Sequence, residues 1–338
     1  ENGRIDLSQA EGVMDAVAAQ GELAQKAAVR QISGQLSRAV AAMQQDMTLL
    51  LAKIGATVDY PEEDLEDEAR TQCRQALQKH ESELSRLLDG ANTARRVREG
   101  VRVALWGRPN VGKSSLLNAL LGDERAIVTP IAGTTRDTLE ETLIVEGLVL
   151  RLIDTAGFRE AGDDIEAIGV RRARKALEEA DMALLVLDAS QTLDERDIRQ
   201  AGELPGKPLL VAVNKSDLPA KISLEQVQEA FPGAVVMPIS ALSGDGIEAL
   251  MKQMVKTALG TDAAGASEHL LGNPRHIEAL KEAQSAMLSG IEAAKEAMPP
   301  DILAIDIRAA WRALGRITGQ TCDEDVIDAI FEHFCVGK

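Results

Sequence analysis

The chain has 338 residues, 45% hydrophobic and only 2% aromatic, with a formal net charge of −17 at pH 7. That length suffices for two domains, while the acidic surface repels nucleic acid at long range and the few aromatics offer little stacking, so any RNA contact needs a local patch or a partner. Three scattered cysteines (Cys73, Cys322, Cys335) without a C-x-x-C pair argue for a reducing compartment and against a disulfide frame or zinc site. No apolar run approaches the roughly 18 residues of a membrane span and no signal peptide is visible, so a cytoplasmic protein off the membrane is expected. The chain starts at Glu1, not Met, and a fragment or processed chain is expected.

Residues 1–99 read as helical. Ser8 precedes Glu11 at capping-box spacing and is taken as the N-cap of a first helix kept short by Gly12 and Gly21. From Glu22 to about Ile54 one amphipathic pattern places Val29, Leu36, Met43 and Leu50 every seven residues, with Ile32, Val40 and Met47 in adjacent turns. That stripe is a helix-packing face. Tyr60-Pro61 breaks it, and the acidic stretch Glu62–Glu68 opens another helix to about Leu88. Arg95, Arg96 and Arg98 form a basic cluster, read as an exposed face or hinge before the first strand.

From Val101 short apolar runs alternate with helical stretches: Val101–Trp106, Thr142–Val145, Leu148–Ile153, Met182–Leu187, Leu209–Val213 and Val235–Ile239. Such alternation implies a mostly parallel sheet covered on both faces. Glu146-Gly147 sits like a hairpin turn, so one edge pair is expected to be antiparallel. The pattern ends near Leu259, and Gly260–Ser267 is a small-residue linker. Helices then resume: one with Asn273 as N-cap and Pro274 in its first turn, reaching about Met298, then Asp301–Ile317 and Asp323–Phe334, with Pro299-Pro300 as the stop between the first two. The expected architecture is an α/β P-loop domain (100–260) inserted into a discontinuous all-α domain made of residues 1–99 and 261–338.

The chemistry concentrates in the inserted part. Gly107–Ser114 reads G-R-P-N-V-G-K-S, after an apolar strand and before a helix. Its glycines let backbone N–H groups turn inward on phosphate oxygens, Lys113 supplies a charge for the β/γ-phosphates, and the Ser114 hydroxyl suits Mg²⁺. Asn110, Val111, Gly112, Lys113, Ser114 and Ser115 are the expected phosphate cradle. Asn214-Lys215-Ser216-Asp217 follows another apolar strand, and the Asp217 carboxylate can accept the two hydrogens of a guanine edge, which adenine does not present. Asn214 and Lys215 would brace the base and the P-loop, and Ser240, Ala241 and Leu242 fit a segment over guanine O6. Asp154-Thr155-Ala156-Gly157 ends a strand: Asp154 would hold Mg²⁺ through water and Gly157 N–H would meet the γ-phosphate. Between them Gly133-Thr134-Thr135 offers a hydroxyl, assigned to Thr135, that completes the Mg²⁺ shell. Together these read as a GTP/GDP site. Phe158 stands where many GTPases orient the attacking water with glutamine and cannot do so; Glu166, Glu160, Asp163 and Asp164 all remain candidates for that task.

With these motifs, the Tyr-Pro-Glu-Glu stretch and the tail Phe334-Cys335-Val336-Gly337-Lys338, the whole chain resembles the MnmE (TrmE) family of tRNA-modification GTPases. The family tail is usually Phe-Cys-Ile-Gly-Lys, so Val336 is a mild departure. Family members also carry an N-terminal folate-binding and dimerisation domain, absent from this sequence, so a folate site and constitutive dimerisation are not carried over. The resemblance implies K⁺ coordination by Asn110 and by backbone carbonyls of Thr129, Ile131 and Thr134, in a K-loop that also brings Ala132 to the nucleotide. It makes Glu166 the residue that positions the water and Cys335 a cysteine implicated in tRNA modification. It further implies a homodimer through G domains when GTP and K⁺ are bound, acting on the tRNA wobble uridine at C5 with the FAD-dependent partner MnmG. A ribosome-assembly GTPase is the alternative, resembling only residues 100–260 and expected to append basic RNA-binding domains. A dynamin-like scaffold would need a basic amphipathic helix or apolar anchor that the sequence lacks.

Overall fold

The computed structural model describes residues 5–59, 66–122, 140–154, 178–195, 197–198, 206–260 and 271–320. The chain divides into two units: Glu1–Ala19 with Ala24–Arg98 and Ala266–Lys338, and Gln20–Leu23 with Glu99–Gly265.

Helix α1 (Leu7–Ala18) is capped by Asp6, not by Ser8. Asp6 Oδ1 accepts the Gln9 N–H at 2.8 Å and Gln9 Oε1 accepts the Asp6 N–H at 3.0 Å. Two boxes of the same spacing compete here, and the earlier one also lets Gln9 Nε2 donate to Ile32 O at 2.9 Å. Ser8 is consequently buried inside the first turn. Gly12 does not end the helix; a Cβ there would stand 3.0 Å from Ile32 N, so the glycine permits close packing.

The single long helix expected over residues 22–54 is two, α2 (Glu22–Ile32) and α3 (Gln35–Asp59). Gly34, at φ 73°, makes the break, and Ser33 and Gly34 N–H close the end of α2 on Val29 O and Gln31 O. The turn resets the helical phase, so Val29 is 57% exposed while Met43, Met47 and Leu50 are buried. Helix α4 (Glu66–Asp89) follows; Tyr60–Leu65 lie outside the described residues. The basic cluster sits on a further helix, α5 (Ala91–Glu99), and is not simply a solvated hinge: Arg98 Nε and Nη2 reach Asp15 Oδ1 at 3.0 and 2.9 Å.

The second unit carries β1 (Val101–Trp106), α6 (Lys113–Gly122), β2 (Glu140–Val145), β3 (Leu148–Asp154), β4 (Met182–Asp188), β5 (Leu209–Asn214), α7 (Leu224–Ala230), β6 (Val235–Pro238) and α8 (Ile247–Leu259). They form a six-stranded sheet of order β2-β3-β1-β4-β5-β6, antiparallel only between β2 and β3. Every residue of β4 is buried, as a central parallel strand requires. Because β1 lies between β3 and β4, the chain leaves it to opposite sides, and the crevice at the strand C-termini is where this architecture binds ligands.

Helices α9 (Pro274–Lys295, N-cap Asn273) and α10 (Pro300–Thr318) return to the first unit, with Pro300 opening α10 as well as following the end of α9. The stretch Asp323–Phe334 lies outside the described residues. Met43 and Met47 of α3, Leu77 and Leu84 of α4, Leu280 and Met287 of α9, and Ile307 and Leu314 of α10 share one core. Each such burial contributes about 1.5–3 kcal/mol. Directional bonds fix the register: Gln44 Nε2 donates to Trp311 O at 3.1 Å, and Trp311 Nε1 to Thr48 Oγ1 at 3.2 Å.

Glu11 of α1 is pinned by α9. Its Oε2 meets Arg275 Nη2 and His276 Nε2, both at 2.7 Å. Burial, reinforced by Arg275, lowers the His276 pKa despite the opposing Glu11 charge. The folded state therefore prefers neutral imidazole, and its stability falls as pH drops from the ordinary histidine value through the depressed one. Glu11 acts in the same sense at lower pH: burial raises its pKa, but Arg275 and His276 outweigh that and leave it lowered. Urea denaturation at pH 7 and 5.5 should show a smaller loss of stability for His276→Gln than for the unsubstituted chain; equal losses would contradict the assignment.

Candidate functional site

The site is built where β1, β3, β4 and β5 end. Trp106 pairs with Leu185, Leu105 with Asp154, and Asp188 with Asn214 across neighbouring strands. The loop after β1 is the glycine-rich stretch, and α6 begins at its lysine.

Three residues of that loop have left-handed backbone: Gly107 (φ 145°), Asn110 (φ 64°) and Gly112 (φ 95°). A Cβ at Gly107 would collide with Val186 O, and one at Gly112 with Asn214 Nδ2. The second glycine is thus required by the approach of the Asn214 side chain as well as by the loop's own curl. Lys113 is only 6% exposed, so its ammonium needs compensation. Its Nζ donates to Gly107 O at 2.9 Å and Arg108 O at 2.6 Å, which places a charge at the centre of the loop. Ser114 and Ser115 are exposed in the first turn of α6, where helix N–H groups favour an anion. Asp154 stands at the last position of β3.

The turn after β5 is tied to this loop. Asn214 Nδ2 donates to Val111 O at 2.9 Å, and its Oδ1 accepts Ala241 N–H at 3.0 Å. One buried amide thereby joins the P-loop to the segment Ser240-Ala241-Leu242. Lys215, at φ 65°, donates from Nζ to Asn110 O at 3.0 Å and to Asp188 Oδ2 at 2.6 Å. Ser240 Oγ donates to Asp217 Oδ1 at 2.6 Å and orients an otherwise exposed carboxylate. Leu242 is 89% exposed beside it.

The structure therefore brings Asn110, Val111, Gly112, Lys113, Asn214, Lys215, Asp217, Ser240 and Ala241 into one bonded arrangement. Thr129, Ile131, Ala132, Gly133, Thr134, Thr135, Thr155, Ala156, Gly157, Phe158, Glu160, Asp163, Asp164, Glu166, Cys322 and Cys335 lie outside the described residues.

Sequence reasoning missed Asp188. It closes β4, is 2% exposed, and accepts Ser190 N–H (2.9 Å), Ser190 Oγ–H (2.7 Å), Gln191 Nε2–H (3.1 Å) and Lys215 Nζ–H. Burial alone would raise its pKa, but the Lys215 and Ser190 hydrogen bonds outweigh it and hold the carboxyl below its ordinary value. The available signal was an acid closing an apolar strand run, as Asp154 does.

A family description, MnmE helical domain, matches residues 7–335. The tRNA modification GTPase MnmE of Alkaliphilus oremlandii is 40% identical over 337 residues, covering 100% of this chain and 73% of that protein. Its counterpart in Heliobacterium modesticaldum is 42% identical over 342 residues, covering 99% and 73%. A solved structure of Era from Aquifex aeolicus bound to GDP.AlF4- is 32% identical over 56% of this chain and 67% of that one, at a TM-score of 0.39.

On the expectation that Asp217 reads a guanine edge, replacing its carboxylate by an amide removes an acceptor from that edge. Asp217→Asn should weaken GTP binding at least about a hundredfold and improve binding of XTP, whose ring offers a carbonyl in place of the amine. Unchanged preference in a competition assay would remove Asp217 from base recognition. The match reaches the helices on both sides of the nucleotide site as well as the site itself, and the chain belongs to the MnmE family of tRNA modification GTPases.

Proposed function

We propose that this GTP hydrolase is stimulated by K⁺, pairs its G domains when GTP and K⁺ are bound, and uses that cycle to drive C5 modification of the tRNA wobble uridine with the FAD-dependent partner MnmG. The observation that carries the reading is Asn110. It is exposed on the P-loop in a left-handed conformation, and its backbone carbonyl is fixed by Lys215 Nζ at 3.0 Å. The side chain of this exposed residue carries a neutral amide oxygen, a hard donor of the class that ligates hard cations. Asn110 would hold K⁺ with the carbonyls of Thr129, Ile131 and Thr134. Ser114, exposed at the start of α6, and Asp154, at the end of the strand beside β1, would hold Mg²⁺ with Thr135, Asp154 through water. When bound, these cations supply positive charge at the β/γ-phosphate oxygens.

The remaining tasks fall to the chain itself. Backbone N–H groups of the loop and Lys113 bind the phosphates, with the Gly157 N–H directed at the γ-phosphate. Asp217 reads the guanine edge, with Ala241 and Leu242 over the base. Glu166 positions the attacking water, a task for which Phe158 offers no polar group. Cys335 serves the tRNA-modifying step rather than hydrolysis. Among the described residues no helix is long and apolar enough to cross a membrane.

Single-turnover hydrolysis should be much faster in K⁺ than in Na⁺, and equal rates would remove the cation from the mechanism. Glu166→Ala should keep GTP affinity while losing on the order of 10²–10⁴ in the hydrolytic rate. Turnover near that of the unsubstituted chain would move the water-positioning role to Glu160, Asp163 or Asp164.

A further inference from the structure

Two carboxylates, one closing β4 and one in the stretch that follows it, have no place in the scheme above, yet one pairs with a lysine that reaches the P-loop and the other with an arginine of the loop itself. Asp188 binds Lys215 Nζ at 2.6 Å, and the same Nζ reaches Asn110 O at 3.0 Å. Nine residues further on, Asp197 lies 2.8 Å from Arg108 Nε in an ion pair whose donor geometry is off-line for a hydrogen bond. The Asp197 side chain is 1% exposed and that of Asp188 equally so. Asp194 adds a second acid at 3.5 Å from Arg108 Nη1, and the Asp194 N–H donates to Asp197 Oδ2 at 3.1 Å.

These contacts flank Pro109. Arg108 is anchored through its side chain and Asn110 through its carbonyl. The Arg108 carbonyl also accepts a 2.6 Å bond from Lys113 Nζ, so the position of Arg108 bears directly on the phosphate-facing lysine. Asn110, the loop's non-glycine residue with left-handed backbone, is in a conformation that persists where surrounding contacts hold it. Two buried acids, each paired with a different cation, carry a desolvation cost that only those pairings offset.

We propose that Asp188 and Asp197 are positioning residues of the nucleotide site. Asp188 acts through Lys215, and Asp197 through Arg108; together they hold the P-loop at two points so that its N–H groups and Lys113 meet the phosphates. The proposal rests on reading residues 107–114 and 214–217 as the nucleotide site and adds the frame that holds it.

Double-mutant cycles on GDP affinity test it, with a fluorescent GDP as probe. Asp188→Asn and Lys215→Met should each weaken binding at least about tenfold, and the double variant no more than the worse single one, because both remove the same tether. Asp197→Asn and Arg108→Gln should behave alike, with smaller losses of about three- to tenfold since Arg108 remains part-exposed. Ser190→Ala, which removes the hydroxyl hydrogen bond to Asp188 and leaves its charge, should weaken GDP binding in the same direction and serves if the Asp188 double variant fails to fold. In phosphorus NMR the β-phosphate of bound GDP should shift in the asparagine variants, which a purely stabilising role would not produce. Additive losses within each pair would overturn the proposal, as would affinities within twofold of the unsubstituted chain or an unmoved β-phosphate resonance. An unsubstituted chain that fails to bind GDP would instead sink the reading of the site itself, and the proposal with it.

Discussion

The ammonium of Lys215 is the contact on which the nucleotide site depends. It leaves the end of β5 with left-handed backbone and spans two otherwise separate loops, bonding a buried carboxylate at the end of β4 and a P-loop carbonyl after β1. Alongside it the Asn214 amide makes a second crossing, from Val111 O to Ala241 N–H. The turn after β5 and the P-loop are therefore bonded into one unit. A displacement of that turn pulls on Val111 and Asn110 of the loop. Lys113 converts that shape into charge placement, because its ammonium is fixed by the carbonyls of the same loop.

The helical unit uses the same economy of buried polar bonds on an apolar base. Its core is a seam of methionine, leucine and isoleucine, which gives stability without much direction. Direction comes from the Gln44–Trp311–Thr48 chain and from Glu11 held between Arg275 and His276. Acid–base contacts thus set geometry in both units. A nucleotide switch requires such definition, since a ligand shifts an equilibrium only between states whose contacts differ discretely.

The sheet was legible in the sequence because strands buried on both faces are written as continuous apolar runs. Met182–Leu187 and Leu209–Val213 extend by a single polar residue each, Asp188 and Asn214, and both of those residues carry site contacts. The hairpin at Glu146-Gly147 was equally plain, with both residues at positive φ. The break at Gly34 was not, because the apolar spacing continues across it and only the backbone angle shows that the phase has reset. Asp6 displaced Ser8 as cap for a related reason: two boxes of the same spacing lie two residues apart, and only the Gln9 contact to Ile32 O decides between them. The residues of the glycine-rich loop and of positions 214–217 were readable as motifs because the binding expected of them, of phosphate and of guanine, would dictate such types and spacing. Asp188 and Asp197 were not read, because their partners lie far away in sequence, Lys215 27 positions from Asp188; the strand-end position of Asp188 was a signal that gained meaning only with that partner located.

The central claim is that one bonded unit reads guanine and phosphate together. Displacement of a bound fluorescent GDP by unlabelled GDP and by ADP tests it most directly. The account predicts displacement by GDP at stoichiometric-to-micromolar concentrations and negligible displacement by ADP at any concentration where GDP is complete. Comparable displacement by ADP would mean that Asp217 and the turn around it do not read the base, and the tie from Lys215 to the P-loop would lose its functional meaning.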